Sequence, residues 1–451
     1  MKPTEQKGTG QLAERVPFGV GRVTRFYVPL LLQAFSQSLS YPLVAGIVSH
    51  GEHGVNALTA FSQGLMIMFM IGSLGGGLVT TGMVFARTWF GYVSFRRLNA
   101  LMMAALLALQ CLPVLPPFSG WLFEGFFALP PELAQVSRWV LLFGVVMSAG
   151  FFLRNVPMVV LFNFLESGKA NNATVARIAV TLVCSIVFPA CGWCGPWWGL
   201  FALTLGVWVE LLVTWLYARP FVARLPNRPA DGRAVEVEEP ALQSSALVWE
   251  QFRFTLPLAL GGFLLAMSPL VVSAFVARTA QAADMLTIHY VTLGVANPVA
   301  YAALRMQAVA VKFPPEYPGD RRLLVYAVVS GALMGIVPLA FATPWLGDWY
   351  FGVFQNVPPR ILGTVELAIG IYSLIAVIHA VRARVEGLAA ARRRPAAVMV
   401  GQISYTVSLF LVCLVLTFVG CPGWVMAMAA IFVAPICTAA AVYLSLLVRP
   451  R

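Results

Sequence analysis

The groups able to do chemistry in this sequence are ionisable side chains set inside long apolar runs. Arg154 and Asn155 stand mid-run just ahead of Pro157, and Arg305 lies deep in another run beyond Asn297 and Pro298. Glu210, Glu366 and His379 are each flanked by apolar residues. A charge at the centre of a bilayer costs roughly 2.5–3.5 kcal/mol on insertion scales, so such residues are default candidates for a substrate or proton route. Arginine can hold carboxylate or phosphate with two parallel N–H donors. Arg154, Asn155, Arg305 and Asn297 therefore point to a site for an anionic small molecule. Glu210, Glu366 or His379 could carry a coupling proton, and an unperturbed imidazole titrates near neutral pH. Structural readings stand beside these. Glu210 could be a carboxyl kept neutral by desolvation or one paired across helices. Arg154 could be a structural ion-pair partner, and His379 or His289 a satisfied interior histidine.

A second polar feature lies in the first apolar run, residues 26–49. Gln33, Gln37 and Ser40/Tyr41 recur at i, i+4 and i+7/8, which places them on one helical face. A polar stripe on a spanning helix should face protein or a watery cavity, so Gln33 and Gln37 join the candidate substrate-binding set.

Other chemistries are poorly supplied. The segment Gly72–Gly77 is glycine-rich but lacks the Lys-Ser/Thr of a phosphate-binding loop. Inside an apolar run it reads as close helix packing or a flexible gate. Only four histidines occur, at 50, 53, 289 and 379, and no metal box or Ser/His/Asp arrangement is found. Cys191, Cys194 and Cys421 fall at outer loop ends, where a disulfide or free thiols are both open readings; a zinc site there lacks ligands. No enzyme and no cofactor are expected.

Composition sets the class. Of 451 residues, 59% are apolar and only 11% charged, against about 25% charged in soluble domains; the mean hydropathy is +0.82. Many apolar runs reach about 20 residues, the length of a spanning helix, so this is a polytopic membrane protein. Residues 1–22 carry no apolar h-region and are read as a cytoplasmic N-terminus rather than a cleavable signal. The net charge of +12 is explained by placement. With twelve spans and both termini cytoplasmic, 25 of the 30 Lys/Arg fall on one side, the positive-inside pattern, so no nucleic-acid partner is implied. Arg138, Arg278 and Arg360 lie outside. The triple Arg392-Arg393-Arg394 reads as a topology determinant, with anionic-lipid contact as a secondary use.

The expected spans are 26–49, 56–85, 97–118, 138–163, 173–193, 197–218, 252–277, 284–311, 322–344, 361–383, 396–420 and 423–447. The second six repeat the first. Arg25-Phe26 and Pro29-Leu30 return as Arg253-Phe254 and Pro257-Leu258, an offset of 228, and Pro42-Leu43-Val44 returns as Pro269-Leu270-Val271. Leu58-Thr59 matches Leu286-Thr287, Arg96-Arg97-Leu98 matches Arg321-Arg322-Leu323, Pro130-Pro131 matches Pro358-Pro359, and Cys194 matches Cys421. Six is an even number of spans, so the halves share one orientation and are related by an axis along the membrane normal. The expected fold is an all-α membrane protein of twelve helices in two parallel six-helix repeats. Its parts are the N-terminus (1–22), an N-lobe (23–219), a charged, proline-bearing cytoplasmic linker (220–250) and a C-lobe (251–449).

Two parallel six-span halves, cytoplasmic termini and a long middle linker resemble the multidrug/oligosaccharidyl-lipid/polysaccharide (MOP) exporter superfamily, with its MATE-like fold. The segment from Phe26 to Val48 with its Val28-Pro29-Leu30 start, the segment from Pro269 to Arg278, and Val381 to Gly387 followed by basic residues are most similar to the progressive ankylosis (ANK) family. The resemblance implies a secondary active transporter, exporting by alternating access between two lobes. For ANK-like chains it implies small anions of the pyrophosphate, citrate or nucleotide class. H⁺ or Na⁺ would be the coupling ion. Multidrug extruders commonly carry an acidic residue in the first helix; here no acid lies between Glu14 and Glu52, which weakens cation coupling in the N-lobe. Glu366 is the best match to a C-lobe coupling carboxyl, and Arg382 and Glu386 match a segment at the inner gate. The competing readings are a proton- or sodium-coupled multidrug/cation antiporter and a lipid-linked sugar flippase. A monomer in contact with membrane lipids, in a bacterial inner membrane, is expected.

Overall fold

The structure is a computed structural model, and it describes residues 17–51, 54–126, 129–227, 240–317, 319–354 and 357–447. The first repeat comprises α1 (Val20–Ser49), α2 (Gly54–Gly72), α3 (Gly77–Phe85), α4 (Trp89–Cys111), α5 (Pro131–Asn163), α6 (Ser167–Ala190) and α7 (Pro196–Val222). The second comprises α8 (Pro240–Val276), α9 (Ala282–Ala303), α10 (Met306–Lys312), α11 (Arg322–Ala340), the short α12 (Pro344–Gly347), α13 (Pro359–Tyr372), α14 (Ile375–Ala391), α15 (Pro395–Val419) and α16 (Gly423–Leu447). No strand occurs among the described residues. Ten described stretches are long and apolar enough to cross a membrane. The α1 run and the α9–α10 run complete the twelve helical spans of two six-span repeats.

Only helices or closed barrels satisfy every backbone polar group in lipid, and the local signals place the ends. Pro131 and Pro359 open α5 and α13 at the first helical position, where the missing N–H costs nothing. These helices therefore start earlier than the expected 138 and 361. The third span begins at Trp89 rather than 97, because the Thr88 side chain caps it by accepting the Gly91 N–H at 3.3 Å. The tenth span runs on to Ala391 with a turn at Ser373–Leu374. Helix also enters both ends of the 220–250 stretch, since α7 reaches Val222 and α8 begins at Pro240; its middle, 228–239, lies outside the described residues, as does most of 1–22. All seven cysteines are free thiols, Cys191, Cys194 and Cys421 among them.

Besides the turn in the tenth span, the second and eighth spans are broken rather than continuous. The second yields between α2 and α3 to a 3₁₀ turn over Ser73–Gly75, and the eighth parts at Leu304–Arg305 between α9 and α10, beyond Pro298. The glycines here serve close packing. A Cβ on Gly77 would stand 2.6 Å from Leu258 Cβ, and one on Gly262 2.9 Å from the Ser73 carbonyl oxygen. Lipid tails are as apolar as leucine, so such close approach is what holds membrane helices together.

The core has three parts. One apolar cluster lies wholly in the first repeat and includes Val44, Phe61, Met68, Phe123 and Leu200. A second lies wholly in the other repeat and includes Val272, Ile288, Phe351, Ile369 and Met426. The third draws on both, with Phe26, Tyr27 and Phe162 against Phe254, Met306 and Phe313. Phe26 meets Phe313 edge-on at 6.0 Å, and Phe85 meets Phe254 at 5.3 Å. Polar contacts reinforce this junction. Lys312 donates to the Asn163 side chain, whose amide donates to the Ala86 carbonyl at 2.8 Å. Ahead of α1, the Phe18 N–H donates to Glu316 at 2.7 Å. All these residues lie at the end of the bundle that carries the basic loops, so the lobes are fused at that end and keep separate cores elsewhere.

Candidate functional site

The breaks of the second and eighth spans face one cavity of about 920 Å³ between the repeats. Gly72, Ser73, Gly75 and Gly76 line it from the second span; Asn297, Pro298, Leu304 and Arg305 line it from the eighth. Non-helical backbone at membrane depth is tolerated where it borders a cavity. α5 contributes Ser148, Phe151, Phe152, Arg154 and Asn155; α6 contributes Arg177 and Thr181. Among the described residues the lining holds three arginines (154, 177 and 305) and no carboxylate.

The arginines on the first-repeat side are organised from behind. Glu210 of α7, 1% exposed, accepts from Arg154 at 2.6 Å and Arg177 at 3.2 Å through the same oxygen. Its other oxygen accepts the Thr174 hydroxyl. Gln33 of α1 donates to Thr174 Oγ1 at 3.1 Å. The chain Gln33–Thr174–Glu210–Arg154/Arg177 thus ties four helices together around one carboxylate. Of the two readings open for Glu210, the structure shows the paired one. A buried pair is stable only when its remaining donors and acceptors are satisfied, and Thr174 and Arg177 do this for Glu210.

Arg154, Asn155, Asn297 and Arg305 therefore meet at one cavity, and Gln33 stands in the network behind it. Gln37 sits on α1, but its side chain lies outside the described residues. The remaining candidates lie elsewhere. Glu366 of α13 does not line the cavity; among the described residues its Oε1 has no hydrogen-bond partner, and a Cβ on Gly347 would stand 2.5 Å from it, at the end of the second repeat away from the basic loops. His379, Arg382 and Glu386 follow one another on α14. Arg382 bonds Glu386 at 2.8 Å and Gln402 of α15 at 3.0 Å, and lies over the Tyr405 ring at 4.9 Å. These contacts stay inside the second repeat; the bonds that cross the lobes at the basic end include Lys312–Asn163, Phe18–Glu316, Thr24–Tyr326 and Gln251–Gly91. His289 is buried, with neither ring nitrogen hydrogen-bonded.

Sequence reasoning missed Arg177. It groups naturally with Lys169 as a basic loop, but α6 begins at Ser167, so Arg177 falls nearly three turns into the helix and is 4% exposed. Earlier placement of the helix start would have revealed it. Among the described residues no group of three His, Cys, Asp or Glu is placed to hold a metal ion.

No protein-family model matches the sequence, and no curated protein sequence matches it. Solved structures do match. The eukaryotic MATE transporter AtDTX14 superposes with a TM-score of 0.70 at 16% identity, over 96% of both chains. A MOP superfamily transporter from Pyrococcus furiosus, described as having a binding pocket of reverse polarity, gives 0.70 at 15% identity over 94% of both chains. The bent form of the Vibrio cholerae MATE transporter VcmN gives 0.67 at 14% identity, over 94% of this chain and 96% of that one. The two six-span repeats, the broken second and eighth spans and the cavity between them are therefore set in the fold of the MATE transporters of the MOP superfamily.

Proposed function

We infer that the protein is a secondary active transporter that exports a small organic or phosphate-bearing anion by alternating access between its two lobes. The observation that carries this reading is a cavity lined, among the described residues, by three guanidinium groups and no carboxylate. Arg154 and Arg177 approach from one lobe and Arg305 from the other, so an anion held among them would draw on both lobes at once. Beside the polar Ser148, Asn155, Thr181 and Asn297, the walls carry Met68, Phe151, Phe152 and Tyr301. They suit the carbon body of a carboxylate or a nucleotide base better than bare water.

The sealed basic end supplies the other half of the mechanism. With the lobes joined there through Phe26, Phe313 and Lys312–Asn163, access to the cavity runs toward the opposite side. Transport would require this seal to part and the far ends to close. Glu210 competes with an incoming anion for Arg154 and Arg177, so anion occupancy and the charge on Glu210 are linked. Glu210 is accordingly the residue at which a coupling proton or sodium ion would be felt, with Glu366 and His379 as further candidates outside the cavity.

Thermal unfolding of the detergent-purified protein against pyrophosphate, citrate, ATP, a lipophilic cation and a lipid-linked sugar tests the reading. A ligand that binds only the native state stabilises it by about 2.7 kcal/mol at 100-fold over its Kd. The expected result is stabilisation by one or more anions that is lost in Arg305→Gln. Stabilisation by the lipophilic cation alone would replace this reading with a multidrug antiporter, and by the lipid-linked sugar alone with a flippase.

A further inference from the structure

A second concavity lies on the outer flank of the first repeat, separate from the central cavity. α4 and α7 both pack on α5 and leave between them a groove of about 700 Å³. This is within the roughly 300–1,000 Å³ of small-molecule sites. Its floor is Leu153, Val156 and Pro157; its walls are chiefly Trp208, Leu212 and Trp215. Two arginines stand at one end: Arg96 from α4 and Arg219 from the last turn of α7. Both are exposed, and among the described residues neither has a carboxylate partner. Arg219 lies over the Trp215 ring at 5.7 Å.

Groove length and charge placement point the same way. From Trp208 to Arg219 the groove follows α7 for about 17 Å at 1.5 Å per residue. That is close to half of the ~30 Å hydrocarbon core, the depth of one leaflet. The cationic end coincides with the basic end of the bundle, where headgroups of that leaflet lie. A flank of this kind is covered by lipid in any membrane, and the two arginines select its net charge, because guanidinium groups bind phosphate oxygens bidentately and repel the quaternary ammonium of a zwitterionic headgroup.

We propose that this groove binds one anionic glycerophospholipid, with an acyl chain laid along Val156, Trp208 and Leu212 and the phosphate held between Arg96 and Arg219. The site is distinct from the anion cavity although both lie on α5: Leu153, Val156 and Pro157 face the groove, while Arg154 and Asn155 line the cavity.

Native mass spectrometry of the full-length protein titrated with phosphatidylglycerol or phosphatidylcholine reads the site. The expected result is one phosphatidylglycerol bound at least tenfold more tightly than phosphatidylcholine. The preference should fall to near unity in Arg96→Gln/Arg219→Gln, with the helical circular dichroism unchanged. Leu153→Trp keeps both arginines but fills the slot, and should weaken both lipids together. Arg305→Gln should leave lipid binding intact, so failure of the transport reading and failure of this one are told apart. Equal retention of the two lipids by the wild type, an unchanged preference in the double variant, or displacement of phosphatidylglycerol by millimolar inorganic phosphate would each overturn the proposal.

Discussion

Arg154 and Arg382 occupy the same position of their two repeats, related by the offset of 228 that also relates Pro131 to Pro359, the prolines that open their spans. Both arginines are buried and both hold a carboxylate. Their surroundings also correspond: the same offset relates Thr174 to Gln402 and Arg177 to Tyr405, and each sits beside its own arginine or that arginine's carboxylate. The difference lies in charge. The first repeat sets two arginines around Glu210 and turns them to the cavity; the second sets one arginine against Glu386 and closes it with a ring. One repeat thus keeps an excess positive charge where the other is balanced.

That asymmetry predicts different rescue behaviour. Glu210→Gln leaves Arg154 and Arg177 without their counter-charge, and removing one partner of a buried pair costs about 3–5 kcal/mol. Glu386→Gln should destabilise comparably. Millimolar citrate or pyrophosphate should restore part of the lost thermal stability in Glu210→Gln, because an anion in the cavity replaces the missing charge, and none in Glu386→Gln. Equal rescue of both variants, or of neither, would contradict the assignment of the cavity to anions.

Gly77→Ala should strain the junction between the lobes. The added Cβ would meet Leu258 Cβ at 2.6 Å and the Thr255 carbonyl oxygen at 3.2 Å, both on α8. Overpacking of this kind typically costs about 1–3 kcal/mol. Gly46→Ala is the control, since nothing lies within 4 Å of its Cβ position and the change within α1 favours helix. The thermal midpoint should fall in the first variant and hold or rise in the second.

Asn163 holds the seal at the basic end through three partners: it donates to the Gly82 and Ala86 carbonyls and accepts from Lys312. Asn163→Ala removes the side-chain acceptor of Lys312 and leaves it the longer bond to the Asn163 carbonyl at 3.4 Å; a buried donor left short of a partner costs about 1–3 kcal/mol. The closed arrangement should lose that much. Alkylation of a cysteine placed at Ala310, on the sealed face of α10, should accelerate in the variant, whereas an unchanged rate would show that the other contacts across the lobes keep them shut without Asn163.

The loop ahead of α11 carries an acid-sensitive tie. Asp320 accepts from the Arg322 guanidinium at 2.9 and 3.0 Å and from its backbone N–H at 3.0 Å. These bonds hold its carboxyl well below the usual carboxylate range. Arg322 and the Phe18 N–H likewise lower Glu316. A depressed folded pKa contributes stability that is present above the unfolded value, near 4, and is lost as pH falls through the folded one. Stability from this tie should therefore be constant from pH 7 to pH 5 and decline below about pH 4. Asp320→Asn should flatten that acid limb in a pH series of thermal midpoints.

The sequence by itself determined the membrane class, the twelve spans and the two parallel repeats, and it singled out Arg154, Asn155, Asn297 and Arg305, which the structure brings to one cavity. Apolar runs, proline punctuation and a nearly fixed repeat offset are local or periodic signals, and an arginine is conspicuous in an apolar run. It did not determine which charges meet. Glu210 lies 56 residues from Arg154 and 33 from Arg177, and their meeting depends on how α5, α6 and α7 pack. Arg177 was hidden because the expected span put it about one turn from its basic end, and a helix start six residues earlier carries it into the interior. Arg382 and Glu386 sit one turn apart in sequence, so their contact could be read; that their partners stay within one lobe could not. The broken spans were foreshadowed by Gly72–Gly77 and Pro298, yet only the tertiary structure turned both breaks onto one cavity, because the sequence pattern marks weak backbone but not the direction it faces.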